Sequence, residues 1–262
     1  MILDLFRLDG KTAIVTGAGK GIGRAIALAY AEAGANVVAA ARTQADIDDT
    51  ANEVVKRGGR ALAVACDVMQ REQLENLVAR AVRELGRIDV LVNNAGGSPP
   101  KAALRTSERE FEAAFRFNVT TAFLLTRLAV PKMVETAGSG SVINISSVAG
   151  RNHAAGFVAY GTAKAALSFM TQELAQDFAP RVRVNAIAVG SVETDALATV
   201  LTPEIKDAMV KMTPMARLGR ATDIAACALY LASAASGYVT GEIVGVNGGL
   251  VGLNMRMPRA FE

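Results

Sequence analysis

Short apolar runs alternate with longer amphipathic segments along the whole chain. The short runs are rich in Val, Ile and Ala and stay apolar at successive positions, which is typical of strands buried on both faces of a parallel sheet. The runs that predict strands are 12–16, 36–41, 61–66, 88–93, 141–146, 182–189 and 242–246. The segments that predict helices include 22–33, 46–57, 71–85 and 107–135. This alternation predicts an α/β fold with one doubly wound, seven-stranded parallel sheet that carries helices on both faces.

The chain is predicted to form one domain, residues 1–262, because no Pro-rich or Ser-rich linker and no repeat of fixed period interrupts the alternation. The stretch 189–218 contains Pro203 and Pro214, and it is too long for an ordinary connection and too apolar for disorder. We interpret about 190–218 as a lid-like substrate loop. Its apolar side chains would either close over a bound molecule or pack against the domain or a neighbouring subunit. They are Leu197, Val200, Leu201, Ile205, Met209, Met212 and Met215.

Charge and cysteine usage exclude several classes of function. The 28 basic and 25 acidic residues are interspersed, so no basic stripe of the kind that binds nucleic acid is expected. The longest uncharged stretch, 224–241, is interrupted by Ser and Gly, so no membrane partner is expected either. Cys66, Cys227 and the single histidine, His153, lack the spacing of a metal site. Two reduced thiols and an N-terminus unlike a signal peptide predict a cytoplasmic protein.

The first predicted strand runs directly into the glycine-rich sequence TGAGKGIG, residues 16–23, and then into a helix. Gly17, Gly21 and Gly23 would let the backbone turn tightly and approach a pyrophosphate, whose negative charge meets the helix N-terminus. A tight corner between a strand and a helix would also require glycine. The place of this loop in the first βαβ unit favours phosphate binding and predicts a Rossmann-type, dinucleotide-binding domain.

Two further polar positions follow strands of the predicted sheet. Asp67 comes directly after the third strand, where it would reach an adenine or cap the helix that follows. The sequence NNAG, residues 93–96, ends the fourth strand, where an open α/β sheet has its ligand crevice. The asparagines there would also serve as ordinary turn residues.

The sequence YGTAK separates a phenol and an ammonium by four residues. Tyr160 and Lys164 would share one face of a helix, so the two side chains can meet. Taken alone, Tyr160 would be a core residue and Lys164 a solvated charge. Taken together they suit acid–base chemistry, because a neighbouring cation lowers the pKa of a phenol from its usual value of about 10.

These motifs occur in order with a lone Asn in FNVT, the sequence NISS and, near the C-terminus, VNGG. Together they resemble the short-chain dehydrogenase/reductase family over essentially the whole chain. The stretches LRTSEREF, TDAL and MARLGRATDIA are most similar to bacterial 7α-hydroxysteroid dehydrogenases and 3-oxoacyl-carrier-protein reductases. One position departs from the family pattern, since Val189 precedes Gly190 where the family usually has proline. Without the fixed φ of proline, the turn that carries nicotinamide contacts is expected to be looser.

The resemblance implies an oxidoreductase that interconverts a ketone and a secondary alcohol on an apolar, steroid-like or acyl substrate. Tyr160 would be the general acid in reduction and the general base in oxidation, and Lys164 would lower its pKa and hold the nicotinamide ribose. Ser147 would polarise the substrate oxygen. Asn118 would kink a helix so that its carbonyl supports a water that leads protons to Lys164. Taken alone, Ser147 would be a strand-end cap and Asn118 a polar helix residue.

The resemblance also implies a nicotinamide cofactor, and the sequence favours NADP(H). NAD-preferring enzymes of this type carry an Asp at the end of the second strand, whereas this chain has Ala41, Arg42 and, in the glycine loop, Lys20. Two cations without a carboxylate favour a 2′-phosphate, although either cation alone would be ordinary surface charge. We interpret Asp46 and Asp48 as first-turn acids of the next helix. The predicted cofactor-binding residues are Gly17, Gly19, Lys20, Gly21, Ile22, Arg42, Asp67, Val68, Asn94, Ala95, Gly96, Tyr160, Lys164, Val192 and Thr194.

Two other functions stay open at this point. A protein that kept the fold and lost the chemistry would sense nucleotides or act as a scaffold, but such proteins usually lose Tyr or Lys of the pair. A 3-oxoacyl-carrier-protein reductase would need basic residues at the pocket mouth for its acidic carrier, and Arg217 and Arg220 are either these residues or ordinary surface charges. His153 is expected at the pocket rim or on the surface. The resemblance further implies a homotetramer.

Overall fold

The computed structural model describes residues 1–194, 197 and 202–255. The strands are β1 (Thr12–Thr16), β2 (Asn36–Ala41), β3 (Ala61–Ala65), β4 (Val90–Asn93), β5 (Gly140–Ser147), β6 (Val182–Val189) and β7 (Ile243–Val246). They form one sheet in the order β3-β2-β1-β4-β5-β6-β7, and every neighbouring pair is parallel. The predicted seven-stranded parallel sheet is therefore confirmed, with small shifts at some strand ends.

Helices cover both faces of the sheet. They are α1 (Gly21–Glu32), α2 (Gln44–Lys56), α3 (Arg71–Leu85), α4 (Glu108–Phe115), α5 (Thr121–Ala137), α6 (Val158–Phe178), α7 (Pro203–Lys211) and α8 (Ala221–Ala232). The segment 107–135 is helical as predicted but is not one α-helix, because a π-helical turn, Arg116–Thr120, separates α4 from α5 and contains Asn118, where the resemblance implies a kink. The side chain of Asn118 donates to the carbonyl of Ala114 (Nδ2–O 2.8 Å), which an unbroken helix would pair with the Asn118 N–H.

Each face of the sheet buries its own hydrophobic cluster, which explains why the strands are apolar at successive positions. Along β1, Ala13 and Val15 join the cluster that contains residues of α1 and α8, and Ile14 joins the cluster that contains residues of α3 and α5. Tyr30 of α1 is fully buried, and its hydroxyl donates to the carbonyl of Ala228 in α8 (3.0 Å). The sheet is thus packed between two layers of helices. Loops follow the carboxyl ends of its strands, and loops in such positions commonly carry binding residues.

The strand order reverses between β1 and β4, which are neighbours in the sheet. At such a switch point the loops after the two strands separate and leave a crevice at the carboxyl ends. The glycine-rich loop after β1 and the NNAG sequence after β4 both begin there. Val189, at the end of β6, pairs with Ser147 of β5 and Val246 of β7, so strands on both sides hold the position where the family usually has proline.

The described part of the predicted lid contains α7 and rejoins the domain through a bridge between Val192 and Gly219. Val200 and Leu201 lie outside the described residues. Within the part of the chain that the structure covers, no helix is both long enough and apolar enough to cross a membrane.

Candidate active site

The glycine-rich loop brings the end of β1 and the start of α1 close together. Gly17 has a left-handed φ of 64°, and a Cβ there would lie 2.7 Å from Nδ2 of Asn94. A Cβ at Gly23 would collide with the carbonyl oxygen of Gly17. Helix α1 begins at Gly21, and within the described residues its N-cap, Lys20, makes no side-chain capping hydrogen bond. The loop therefore excludes side chains and presents uncapped helical N–H groups, an arrangement that suits phosphate.

Hydrogen bonds fix this loop from two sides. Oγ1 of Thr16 accepts from the backbone N–H groups of Asn94 (3.0 Å) and Ala95 (3.1 Å), and Nδ2 of Asn94 donates to the carbonyl of Thr16 (2.8 Å). From the other side, the buried hydroxyl of Thr50 in α2 donates to the carbonyl of Ala18 (3.0 Å). Asn94 is thus more than a turn residue. The two threonines were missed by sequence reasoning, and the signal for Thr16 was a hydroxyl at the end of an otherwise apolar strand.

A cavity of about 990 Å³ extends from this loop along the carboxyl edge of the sheet. All residues predicted to bind the cofactor line it, as does Ser147. It is also lined by residues that sequence reasoning did not assign to the site. These include Asp46, Phe157, Leu253, Asn254 and Met255.

Ser147, Tyr160 and Lys164 converge on this cavity. Ser147 is the last residue of β5, and its Oγ accepts from the backbone N–H of Ala149 (3.1 Å). Tyr160 and Lys164 lie near the start of α6, and the Lys164 nitrogen is 5.7 Å from the centre of the Tyr160 ring. Lys164 is only 4% exposed, and its Nζ donates to the carbonyl of Ile145 (2.8 Å). The two side chains that the spacing brought together do meet, and the serine hydroxyl lies beside the phenol.

Burial dominates the acid–base properties of this pair. It raises the pKa of the Tyr160 phenol, and the neighbouring Ser147 hydroxyl opposes this only in part. Burial also lowers the pKa of Lys164 to about 7. The net pKa of the phenol is therefore raised by burial, and the lowering effect of Lys164 stays a prediction.

Asn118 lies behind the cavity wall, beside Lys164. It is 2% exposed, its Oδ1 accepts from the N–H of Gly97 (2.9 Å), and its Nδ2 donates to the Gly97 carbonyl (3.0 Å). A Cβ at Gly96 would lie 2.8 Å from Oδ1 of Asn118 and 3.2 Å from Nζ of Lys164. The absence of a side chain at Gly96 is what allows the NNAG loop, Asn118 and Lys164 to approach one another.

Asp67 lines the cavity and does not cap the following helix. Helix α3 begins at Arg71 with Gln70 as its N-cap residue. Oδ1 of Asp67 instead accepts from the N–H of Met69 (3.0 Å), and the Asp67 N–H donates to Oε1 of Gln73 (2.7 Å). The capping alternative is therefore wrong, and these bonds hold the carboxylate at the cavity wall.

Three charged side chains surround the outer end of the glycine-rich loop. Lys20 and Arg42 are exposed, and Arg42 makes no hydrogen bond or ion pair with any residue that the structure describes. Asp46 lies in the first turn of α2, with its Oδ2 3.3 Å from Nζ of Lys20. A Cβ at Gly19 would lie 2.8 Å from Cβ of Asp46, so glycine allows this close approach. Asp46 is a first-turn acid of α2, as predicted, and its carboxylate also lines the cavity, whereas Asp48 lies beyond the first turn.

The apolar residues of the predicted lid divide into two groups. Leu197 lines the cavity. Met209 is instead 1% exposed and packed inside the domain, whereas Ile205, Met212 and Met215 are 41%, 42% and 63% exposed. None of these four is among the residues that line the cavity.

Other predicted candidates lie apart from the catalytic cluster. Arg217 forms an ion pair with Asp223 (2.7 Å), and the backbone N–H of Arg220 donates to the same carboxylate (2.7 Å). His153 is exposed and does not line the cavity. Both cysteines are free: Cys66 is buried and Cys227 half-buried.

Comparison with known proteins identifies one family over nearly the whole chain. A family model described as enoyl-(acyl carrier protein) reductase matches residues 17–251. An uncharacterized oxidoreductase of Mycobacterium tuberculosis is 51% identical over 259 residues, which is 98% of each chain. The 7α-hydroxysteroid dehydrogenase of Escherichia coli K12 is 42% identical over 247 residues, covering 94% of this chain and 96% of that protein.

A solved structure agrees with these relatives. A 7α-hydroxysteroid dehydrogenase complexed with NADH and 7-oxo glycochenodeoxycholic acid has a TM-score of 0.92 at 40% identity, covering 97% of this chain and 98% of that chain. Residues 17–23 of the glycine-rich loop, NNAG and the cluster of Ser147, Tyr160 and Lys164 all lie within the segment that the family model matches. The chain belongs to the short-chain dehydrogenase/reductase family.

Proposed function

We propose that the protein is an NADP(H)-dependent oxidoreductase that interconverts an apolar ketone and the corresponding secondary alcohol. The observation that carries this proposal is the convergence of Ser147, Tyr160 and Lys164 on the cavity that the glycine-rich loop also lines. Groups that suit proton transfer to a carbonyl oxygen thus lie in the same space as groups that suit a dinucleotide.

The residues present suit the nicotinamide cofactor that the family implies. The uncapped N-terminus of α1 would hold the pyrophosphate. Asp67 and Val68 would hold the adenine, and Val192 and Thr194, after β6, the nicotinamide. Lys164 would bind the nicotinamide ribose. When bound, the cofactor supplies or accepts the hydride.

Tyr160 holds and moves the proton in this proposal. In reduction the carbonyl carbon gains a hydride and the carbonyl oxygen takes the phenol proton, which leaves an alcohol and a phenolate. The Ser147 hydroxyl would donate a hydrogen bond to the same oxygen and polarise it. The raised pKa of Tyr160 keeps the phenol protonated, as reduction requires. Oxidation requires the phenolate and should therefore become faster as the pH rises.

Lys164 would return the proton to Tyr160. Its pKa of about 7 allows it to bind or release a proton near neutral pH. Asn118 is held against it across Gly96, and we propose that a water on the Asn118 carbonyl connects Lys164 with solvent. Asn118 and Gly96 would then act through Lys164 and not on the substrate.

The charges near the glycine-rich loop support NADP(H) over NAD(H), with one opposing group. Ala41 carries no carboxylate, and Arg42 is available to bind a 2′-phosphate bidentately. Lys20 adds a second cation, but Asp46 partly neutralises it. We propose a preference for NADPH of about tenfold in kcat/KM, equivalent to one contact of about 1.4 kcal/mol. Kinetics with both cofactors on one ketone test this, and equal or better use of NADH would contradict it.

We propose a bulky cyclic or long-chain ketone as the substrate. Phe157, Leu197, Leu253 and Met255 give the cavity apolar walls. The related dehydrogenase was solved with 7-oxo glycochenodeoxycholic acid. A panel of ketones tests the proposal, and much faster turnover of small charged ketones would contradict it.

A homotetramer is also proposed. Phe111 and Phe115 of α4 and Phe123 of α5 are 38%, 40% and 40% exposed, and Phe169 of α6 is 62% exposed. Large apolar side chains grouped on a surface often mark an interface between subunits. Light scattering should give the mass of four chains, and a monomeric mass would exclude the proposal.

Tyr160→Phe tests the catalytic assignment because it keeps the ring and removes only the acidic proton. We expect turnover to fall by ~10²–10⁴-fold, the usual contribution of a general acid or base, while NADPH affinity measured by fluorescence stays within twofold. Lys164→Ala should lower both turnover and affinity. A Tyr160→Phe enzyme with half the wild-type activity would refute the assignment. Tight NADPH binding by a wild type that turns over no ketone would favour the nucleotide-sensing alternative.

A further inference from the structure

The C-terminal segment, here residues 247–255, returns to the cavity, which Leu253, Asn254 and Met255 line. Its residue Asn254 is 4% exposed, although an amide is strongly polar. Oδ1 of Asn254 accepts from the hydroxyl of Ser191 (2.6 Å), just after β6. Nδ2 donates to the carbonyl of Met209 in α7 (3.2 Å) and to Oγ1 of Thr213 just beyond α7 (3.0 Å). One buried amide therefore connects the C-terminal segment with the stretch after β6 and with the end of α7.

A second set of contacts docks the same segment on the end of α7. The backbone N–H of Met215 donates to the carbonyl of Gly248 (3.1 Å). Gly248 and Gly249 have left-handed φ values of 64° and 84°. Cβ atoms there would lie 2.8 Å from Cγ2 of Thr213 and 3.1 Å from Cβ of Pro214. The double glycine thus lets the chain after α7 lie directly against the C-terminal segment.

These contacts determine what faces the catalytic end of the cavity. Leu253 and Met255, on either side of Asn254, line the cavity together with Ser191 and Val192. Because its hydrogen bonds hold Asn254 in place, its two neighbours in the sequence are held as well. The Asn254 amide therefore positions Leu253 and Met255 in the cavity wall. Within the described residues, α7 itself contributes no lining side chain, so its influence on the cavity passes through this junction.

We propose that Asn254 is a positioning residue that couples the C-terminal segment to α7 and to Ser191, and that Leu253 and Met255 thereby form the wall that selects an apolar substrate. That this wall faces the substrate rests on the proposed function. The junction should act on substrate affinity, because the hydrogen bonds of the Asn254 side chain go to Ser191, Met209 and Thr213 and, within the described residues, not to Tyr160 or Lys164. A buried polar network of this kind is rigid when every member is bonded and costly when one is not.

Asn254→Asp is the most discriminating variant because it keeps the shape of the side chain. The carboxylate can still accept from Ser191, but it would turn an acceptor toward the carbonyl of Met209. Thr213 cannot compensate, because its hydroxyl already donates to Met209 (2.8 Å). Asn254→Ala removes all three hydrogen bonds of the side chain. Val251→Ala is the matched control, since Val251 is 95% exposed in the same segment and does not line the cavity.

The test measures KM and kcat for a bulky ketone, the NADPH dissociation constant, and hydrogen exchange of the α7 amides. For Asn254→Asp and Asn254→Ala we expect KM to rise about tenfold, with kcat and NADPH affinity within twofold of wild type. Exchange should speed up in 203–215 and stay unchanged in β1 to β3, with all variants still folded by circular dichroism. Ser191→Ala combined with Asn254→Ala should give less than the product of the two single effects.

The outcomes separate this inference from the proposed function. If KM and α7 exchange in both variants match those of Val251→Ala, the coupling is refuted. A fall in kcat at unchanged KM would also refute it, because the junction would then act on the chemistry. If the wild type reduces no ketone, the proposed function fails, while faster α7 exchange in Asn254→Asp would still support the coupling.

Discussion

The charge of Asp46 gives a sharp test of where the cofactor phosphate binds. Asp46→Asn keeps the size of the side chain and removes a negative charge 3.3 Å from Nζ of Lys20. If a 2′-phosphate binds beside Lys20 and Arg42, the variant should prefer NADPH more strongly than the wild type does. Two effects act in this direction: a repulsive carboxylate is lost, and Lys20 is released to bind the phosphate.

Exposure limits the size of this effect. The side chains of Lys20 and Asp46 are 63% and 26% exposed, so solvent screens their pairing to about 0.2–1 kcal/mol. Unit charges ~4 Å apart interact by about 1 kcal/mol in bulk water and about 4 kcal/mol near a protein surface. We take about 1 kcal/mol, because the loop end is open to solvent. This corresponds to a rise of about fivefold in the ratio of kcat/KM for NADPH to kcat/KM for NADH.

The assay is that ratio, measured with one ketone at low and at physiological ionic strength. The effect should shrink at higher salt, because the charges are exposed. Asp48→Asn is the matched control, since Asp48 lies on the same helix but accepts from Nε2 of Gln44 (2.8 Å) and does not line the cavity. Arg42→Asp should shift the preference toward NADH. A ratio for Asp46→Asn equal to or below that of Asp48→Asn would refute the proposed phosphate position.

Three further substitutions test the fold around the site. Thr16→Val leaves two backbone N–H groups after β4 without their acceptor, so it should lower the free energy of unfolding in urea by about 1–3 kcal/mol, whereas Thr16→Ser should not. Lys164→Met should be more stable than wild type below pH 7, where the folded wild type buries a charge, by about 1.4 kcal/mol of unfolding free energy per unit of pKa shift. The difference in Tm between the two proteins should disappear between pH 7 and 10.5, because the buried amine becomes neutral at a lower pH than the amine of the unfolded chain. A difference in Tm that does not change with pH would refute the lowered pKa. Gly96→Ala would force its Cβ against Asn118 and Lys164, so turnover should fall at least tenfold with the protein still folded, and unchanged turnover would mean that the approach of the two side chains is dispensable.

The number of the strands and their approximate positions along the chain could be predicted because each buried strand carries its own signal. The strand β1 is apolar at the successive positions Ala13, Ile14 and Val15, since both of its faces are covered. The π-turn between α4 and α5 was not predicted, because the apolar periodicity continues through it. The break depends on the hydrogen bond from the Asn118 side chain to Ala114, and a pattern of apolar positions contains no information on that bond.

The candidate site was predictable where one short motif holds the chemistry and was missed where distant elements meet. The glycine-rich loop and YGTAK are each a continuous stretch of sequence, so their residues could be identified from the sequence alone. The approach of Asp46 to Lys20 depends on Gly19 having no Cβ and on α2 being tied to the loop by Thr50. The C-terminal segment reaches the cavity through its contacts with α7. These contacts join residues that are distant in the sequence, and no periodic pattern of apolar positions predicts them.

Burial also changes which member of the Tyr160 and Lys164 pair responds to pH. Spacing alone suggests a permanent cation that makes the phenol more acidic. In the fold, Lys164 is 4% exposed and burial lowers its pKa to about 7, whereas burial raises the pKa of the Tyr160 phenol. Because Ser147 opposes this rise only in part, the phenolate needed for oxidation must gain further stabilisation from charge that enters with the reactants. Burial of Tyr160 itself therefore keeps the phenol in the protonated form that the proposed reduction requires.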